Sequence, residues 1–327
     1  MSQDDRRAAG PRVVALGGGH GLAASLTALR QVTEQLTAVV TVADDGGSSG
    51  RLRRDLGVLP PGDLRMALAA LCGDDEWGAT WSKVVQHRFG PAGDLHNHVV
   101  GNVLIVALWD LLGDTVAGLD WVGRLLGARG RVLPMAAVPL DIVAEVAGLD
   151  PDDPTRVAEV RGQVAVATTR GQVVVLGLEP ADPPACPEAV TAVREADWVV
   201  LGPGSWFTSV LPHLLVPELA KALTETSAAR LLTLNLAPQQ GETTGFSPHT
   251  YLEVLAGHAP DLWLDVVLAD PESVTDVPGL AKAVAAFGAE LVLEPVGVGD
   301  GVARHDPRRL ALAYRSIFAR GRIRTCR

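Results

Sequence analysis

The chain opens with an apolar run that leads into a glycine-rich turn and then into a helical pattern. Arg12 to Leu16 is the apolar run, Gly17-Gly18-Gly19-His20-Gly21 is the turn, and Leu22, Leu26 and Leu29 follow at helical spacing. A strand, a glycine turn and a helix in this order are typical of the first unit of a Rossmann-like fold. The expected architecture is therefore a parallel sheet with helices on its faces.

Later segments repeat this pattern and are interrupted twice. The further predicted strands are Ala38 to Val42, Trp198 to Leu201, Leu231 to Leu234, Leu262 to Leu268 and Leu291 to Leu293. Residues 63–127 show helical spacing and predict a helical insert. Residues 131–178 predict a small hairpin-rich excursion, because short β-branched runs alternate there with Gly and Asp-Pro turns; the runs are Ile142 to Val146, Val164 to Thr168 and Val173 to Leu176. The predicted fold class is α/β, a Rossmann-like, doubly wound, mainly parallel sheet with these two additions.

The length of 327 residues fits one large domain with inserts, since it is roughly twice the usual single-domain length. We expect a disordered N-terminus over residues 1–11, a single Rossmann-like domain over residues 12–320 and a basic tail over residues 321–327. The arginines that crowd the last part of the chain are interpreted as a solvated helix face and a disordered end.

Composition excludes several classes of protein. Twenty-eight basic and 38 acidic residues give a net charge of −10, whereas nucleic-acid binding usually requires a basic stripe. No uncharged apolar run reaches the ~20 residues that span a bilayer, and the first residues lack the apolar segment of a secretory signal. Three cysteines without partner spacing, Cys72, Cys186 and Cys326, form neither a disulfide framework nor a zinc motif. A cytoplasmic protein without nucleic-acid partners or membrane insertion is expected.

The first glycine turn is a candidate phosphate site. Glycines let the backbone approach a ligand closely, and the following helix begins with unpaired N–H groups that attract anions. The turn does not match the strict dinucleotide-binding pattern, and a plain tight turn is the alternative.

A denser group of polar residues follows the second strand, from Asp44 to Arg53. Arg51 and Arg53 are candidates to clamp phosphate oxygens, and Asp44 or Asp45 to hold Mg²⁺ or a sugar hydroxyl. Adjacent carboxylates and several glycines make a loop costly to order, which favours a ligand-binding role. The alternative is an aspartate-capped, solvated loop.

Two further polar loops follow later strands. Gly202-Pro203-Gly204-Ser205 comes after the strand that ends at Leu201, and Asn235 to Phe246 comes after the next. Glycine-rich ends on an early and a late strand fit the two sides of a nucleotide crevice. His96 and His98 lie two apart without a further ligand at a recognisable interval, so zinc is disfavoured and a helix entry, with His98 and Asn102 facing the crevice, is preferred.

Together these motifs resemble the YvcK, or gluconeogenesis factor, family. The resemblance rests on the Gly17 to Gly21 turn, the run Val40 to Arg53, Leu59-Pro60-Pro61-Gly62-Asp63-Leu64-Arg65, the Gly202 to Ser205 loop and Gly241-Glu242-Thr243. It covers the chain from Arg12 to about Pro295. His20, His96-Asn97, His213 and Gln240 depart from the usual family pattern.

The resemblance implies a cytoplasmic bacterial protein that binds a UDP-sugar such as UDP-N-acetylglucosamine. It implies a regulatory role in cell shape and wall synthesis during gluconeogenic growth, without a required cofactor, with Mg²⁺ as an option. Homo-oligomers and cell-wall synthesis or regulatory proteins are the partners it suggests. The wider superfamily includes 2-phospho-L-lactate transferase (CofD), so a transferase acting on a nucleotide-diphosphate-linked donor is the alternative function.

The motifs and the resemblance together predict one set of ligand-contacting residues, with no catalytic residue identified. The set is Gly17, Gly18, Gly19, His20, Gly21, Asp44, Asp45, Gly46, Gly47, Ser48, Ser49, Arg51, Arg53, Asp63, Arg65, His98, Asn102, Gly202, Gly204, Ser205, Thr208, Ser209, Asn235, Gln239, Glu242 and Thr243.

Overall fold

A computed structural model describes residues 10–320, so the predictions for residues 1–9 and 321–327 lie outside the described residues. The strands within that range are β1 (Val13–Gly17), β2 (Leu36–Val40), β3 (Arg131–Pro134), β4 (Asp141–Ala147), β5 (Val157–Arg161), β6 (Gln172–Glu179), β7 (Trp198–Leu201), β8 (Ala229–Thr233), β9 (Val266–Ala269) and β10 (Glu290–Leu293). The α-helices are α1 (Gly19–Leu29), α2 (Gly47–Leu56), α3 (Gly62–Leu71), α4 (Glu76–Gln86), α5 (Val100–Leu112), α6 (Thr115–Leu126), α7 (Gln163–Ala167), α8 (Pro187–Glu195), α9 (Pro217–Glu225), α10 (Pro248–His258), α11 (Val277–Ala286) and α12 (Pro307–Arg320).

Seven parallel strands form the main sheet in the order β10-β9-β8-β7-β1-β2-β3. Strands β1, β7 and β8 are buried along their whole length, as expected for a sheet covered by helices on both faces. The chain runs outward to one side through β2 and β3, and to the other side through β7 to β10. This arrangement confirms the predicted α/β, doubly wound fold and places a topological switch point between β1 and β7.

The region from 63 to 127 contains most of α3 and all of α4, α5 and α6. These helices precede β3, the strand that completes one edge of the main sheet. None of the helices described in residues 10–320 combines the length and apolar character needed to cross a membrane.

The hairpin-rich region differs from its prediction in two respects. Its first segment, β3, pairs with β2 in the main sheet, and only β4, β5 and β6 form the separate antiparallel sheet. The β-branched run Val164 to Thr168, interpreted as a strand, forms most of helix α7 instead. Local β propensity is a weak preference that tertiary contacts override, and here Asp45 bonds the start of this helix.

Candidate functional site

A cleft of about 480 Å³ opens at the carboxyl edge of the main sheet, at the switch point between β1 and β7. Ligands in open α/β sheets bind at such points, because neighbouring loops diverge there and leave a crevice. The predicted site residues that line this cleft are Gly18, Gly19, His20, Gly21, Asp63, Gly204, Ser205, Thr208, Ser209, Asn235 and Gln239. Residues from four separate stretches of sequence therefore meet in one place.

The glycine turn after β1 touches the loop after β7 directly. A Cβ on Gly21 would lie 2.3 Å from the carbonyl oxygen of Pro203, so only glycine fits at this position. Helix α1 begins here with neither a side-chain cap on Gly18 nor an acidic residue in its first turn. The start of α1 is therefore an anion-attracting end of a helix within the cleft.

Two polar side chains fix the loop after β7 from behind. The Asn235 amide donates to the carbonyl oxygen of Gly204 at 2.8 Å and accepts from its N–H at 2.9 Å. The Glu242 carboxylate accepts the N–H of Phe207 and the hydroxyl of Ser205. Burial raises the pKa of Glu242, while these hydrogen bonds favour its charged form. Both residues therefore shape the cleft through the protein backbone.

Asp63, near the start of α3, is the carboxyl group that lines the cleft. It accepts a hydrogen bond from the N–H of Gly19, and a Cβ on Gly18 would lie 2.5 Å from Asp63 Oδ2. Burial raises the pKa of Asp63 to about 7, and the negative charge of Asp44 acts in the same direction. Asp63 can therefore hold or release a proton near neutral pH, directly at the first turn of α1.

A hydrogen-bond network that does not line the cleft contains several other predicted residues. Ser48 Oγ accepts from the N–H of Val99 at 3.1 Å and from Asn102 Nδ2 at 3.2 Å, and lies 3.2 Å from His98 Nδ1. Asn102 Oδ1 accepts from Arg65 Nε at 3.0 Å. This network joins the helices α2, α3 and α5, so His98 and Asn102 do not face the cleft as the sequence predicted.

The two aspartates after β2 point to different partners. Asp44 Oδ1 accepts the N–H of Gly46 at 2.9 Å, whereas Asp45 Oδ1 accepts the N–H of Val164 at 3.1 Å. Residues 10–320 contain no group of three or more His, Cys, Asp and Glu side chains placed to hold a metal ion. A Mg²⁺ ion at Asp44 would therefore need water or ligand oxygens among its partners.

The two arginines predicted to clamp phosphate contact the protein instead. Arg51 Nη2 donates to the carbonyl oxygen of His96 at 2.5 Å. Arg53 donates to the carbonyl oxygen of Leu140 at 2.9 Å and pairs with Asp141 at 2.6 Å. Both lie on α2 and outside the cleft, where they fasten this helix to the loop before α5 and to β4.

The remaining predicted residues outside the cleft lining surround it. Thr243 is fully buried and accepts from the N–H of Gln239 at 2.8 Å and from the hydroxyl of Tyr251 at 3.1 Å. Ser49 Oγ accepts the N–H of Gly62 at 2.9 Å, which positions the start of α3. Gly17 and Gly202 end or follow strands, and Gly46 and Gly47 begin α2.

The lining residues that sequence reasoning missed include Gln163, Val164, Arg304 and His305. Arg304 brings a positive charge to the cleft, and its contact with Asp300, at 3.4 Å, is solvent-exposed. The interpretation of the C-terminal arginines as a purely solvated face was thus incomplete: Arg309 and Arg315 also donate to carbonyl oxygens of other segments. The succession Arg304-His305-Asp306-Pro307 indicates the start of a helix but not the position of Arg304 beside the cleft.

Comparisons with known proteins match nearly the whole chain. The family described as 2-phospho-L-lactate transferase CofD matches residues 13–285. A relative in Mycobacterium tuberculosis, provisionally named a gluconeogenesis factor, is 52% identical over 94% of this chain and 90% of its own. The gluconeogenesis factor of Listeria monocytogenes is 36% identical over 94% and 96%. A crystal structure of a UPF0052 family member from Bacillus halodurans superimposes with a TM-score of 0.81 at 32% identity, covering 93% of this chain and 98% of that one.

The raised pKa of Asp63 predicts a pH-dependent effect of the substitution Asp63→Asn. The pKa is about 7 in the folded chain and ordinarily 3.8, so wild-type stability falls as pH rises between those values because ionisation favours the unfolded state. Asparagine cannot ionise and still accepts the Gly19 N–H. From pH 5 to pH 8 the variant should therefore gain roughly 1 to 2 kcal/mol over wild type, or about 2 to 5 °C in Tm.

Thermal unfolding at several pH values measures this difference. Asp55→Asn is the matched control, because Asp55 is exposed on α2. A difference between Asp63→Asn and wild type that stays constant from pH 5 to pH 8 would contradict the assignment.

Proposed function

The chain belongs to the CofD family and, within it, to the gluconeogenesis factors, and we propose that its cleft binds a UDP-sugar such as UDP-N-acetylglucosamine. The names of the relatives support a gluconeogenesis-related role. In our proposal the chain is a cytoplasmic protein that regulates cell-wall synthesis and cell shape according to whether its ligand is bound. Its partners would be proteins of wall synthesis or of its regulation, or a second copy of the chain.

The observation that carries the proposal is the start of α1, whose N-cap residue Gly18 supplies no side-chain cap, facing the loop after β7 across a switch-point cleft. A pyrophosphate is the part of a nucleotide-sugar that such a site attracts, because backbone N–H groups and the helix end both favour negative charge. Arg304 adds a guanidinium group to the same cleft. Arg304 lines this cleft, whereas Arg51 and Arg53 bond to other segments of the protein.

Asp63 sets a condition on anion binding. An ionised carboxylate at the first turn of α1 repels a phosphate, whereas the protonated group, whose pKa is about 7, donates a hydrogen bond to it. A divalent cation that bridges the carboxylate and the phosphate would serve the same purpose. The cleft therefore suits a pyrophosphate that arrives with a proton or with Mg²⁺.

A transferase that uses a nucleotide-diphosphate-linked donor is the second candidate. The matching family is described as a transferase, and Asp63 is a carboxyl group that can exchange a proton near pH 7 within the cleft. Transfer of a phosphorus-linked group depends mainly on positioning and charge neutralisation, so it requires no evident nucleophile. We rank binding without turnover first, because the carboxylate that accepts the Ser205 hydroxyl, Glu242, also accepts the N–H of Phe207 and so positions the loop after β7.

Incubation of the purified protein with labelled UDP-N-acetylglucosamine and a cell extract separates the two functions. The binding-only proposal predicts that all label stays in the nucleotide-sugar. Label in a new compound that also requires Asp63 would contradict binding alone and establish the transferase.

UDP-N-acetylglucosamine should raise the Tm of the protein. A ligand that binds only the folded state stabilises by RT ln(1 + [L]/Kd), about 2.7 kcal/mol at a hundredfold excess over Kd. Differential scanning fluorimetry with millimolar ligand measures the shift. An unchanged Tm would count against the proposal, and a larger shift with NAD or ADP-ribose would indicate a dinucleotide site.

Arg304→Gln should weaken the binding of UDP-N-acetylglucosamine about tenfold to a hundredfold, since a charge-assisted contact contributes roughly 1.5 to 3 kcal/mol. The Tm of the free protein should stay nearly constant, because the pair with Asp300 is solvent-exposed. Titration calorimetry measures the affinity of Arg304→Gln and of a control variant for UDP-N-acetylglucosamine. The control is Arg308→Gln, which removes an exposed arginine at the start of α12, and equal effects of the two substitutions would reject the assignment.

A further inference from the structure

Helix α7, within the small antiparallel sheet region, contributes a wall of the cleft through Gln163, Val164 and Ala167. None of the residues of this segment is among the predicted ligand-contacting residues. This segment belongs to the antiparallel excursion and not to the main sheet. Its side chains therefore indicate which part of a ligand, other than the phosphates, it could contact.

Contacts from two strand-end loops hold α7 in place. Asp45 Oδ1 accepts the N–H of Val164, and a Cβ on Gly162, whose φ is +100°, would lie 2.3 Å from Asp45 Oδ2. At the other end, a Cβ on Gly241 would lie 2.8 Å from the carbonyl oxygen of Ala167. The helix is therefore fixed against loops that follow β2 and β8, and Asp45 is a positioning residue for it.

The surface that α7 presents is apolar, with carboxamides beside it. Val164 is 50% exposed although it is a large apolar residue, and Ala167, Leu236 and Pro238 continue the apolar lining. The side chains of Gln163 and Gln239 make no hydrogen bond to any other residue in the range 10–320. They differ in this from Asn235, whose amide is bonded on both sides to Gly204.

The wall formed by α7 and the proposed phosphate end of the cleft differ in the charge of their side chains. The cationic and acidic lining groups, Arg304 and Asp63, belong to other segments, while the α7 wall carries only neutral side chains. A carboxamide offers a donor and an acceptor side by side, which matches an amide or imide group. An exposed apolar face next to it suits the flat or methyl-bearing part of such a group.

We infer that the α7 wall determines ligand specificity by recognising an amide-type group on the uncharged part of the ligand, with Gln163 as its principal hydrogen-bonding residue. The inference rests on the proposed function. A nucleotide-sugar offers two sources of this chemistry, the imide of a uracil base and the acetamido group of an N-acetylated sugar. Val164 and Ala167 supply the apolar contact in either case.

Titration calorimetry of Gln163→Leu with UDP-N-acetylglucosamine, UDP-glucose and UDP tests the inference. Leucine keeps the size of the side chain and removes its hydrogen bonds, so affinity should fall about tenfold. A loss confined to UDP-N-acetylglucosamine assigns the acetamido group, and an equal loss for all three ligands assigns the uracil. Gln172→Leu is the matched control, since Gln172 is an exposed carboxamide on β6 outside the cleft.

Gln239→Leu is the second variant, and it keeps the test valid if Gln163→Leu does not fold. Unchanged affinity for all three ligands in the folded variants, or an equal loss in the Gln172→Leu control, would overturn the inference and leave the proposed function standing. Failure of the wild-type protein to bind any of the three ligands would overturn both.

Discussion

The close approach of the first turn of α1 to the loop after β7, Gly21 against Pro203, is the contact on which the site depends. It brings the start of α1 next to the loop after β7, at the point where the sheet changes direction. Other bonds serve the same junction: Ser25 Oγ donates to the carbonyl oxygen of Gly202, and Asn235 brackets Gly204. Because glycine backbone occupies the junction, the two segments approach more closely than side chains would allow.

The main sheet could be predicted because each buried strand is a short apolar run and each run ends in glycine or a polar loop. The exceptions depend on partners that are distant in sequence. Strand β3 joins the sheet beside β2, about ninety residues earlier, and nothing in its own four residues indicates that partner. Helix α7 has a β-branched sequence and is held as a helix by contacts such as the bond from Asp45.

In the candidate site too, some residues could be predicted from their own sequence neighbourhood, whereas others are placed by contacts with residues distant in sequence. The glycine turn and the loop after β7 could be predicted because a strand end identifies its own position in a parallel sheet. Asp63 lies in α3 and was predicted only through the family resemblance. Arg51 and Arg53 had suitable chemistry, but the phase of α2 directs them to His96 and Asp141. Arg304 could not be placed from sequence, since Asp270 fixes its segment by accepting the N–H groups of Val296 and Gly297.

If a pyrophosphate binds in the cleft as proposed, the carboxyl of Asp63 couples that binding to proton exchange with the solvent. A pyrophosphate seated at α1 without a metal ion would raise the affinity of Asp63 for its proton, so binding near pH 7 would take up a fraction of a proton from the buffer. The observed binding enthalpy would then vary with the ionisation heat of the buffer chosen. Asp63 would have to be ionised to hold Mg²⁺, so binding together with Mg²⁺ would release protons instead of taking them up. The sign of the proton exchange on binding would therefore show whether a proton or Mg²⁺ offsets the charge of the phosphate beside Asp63.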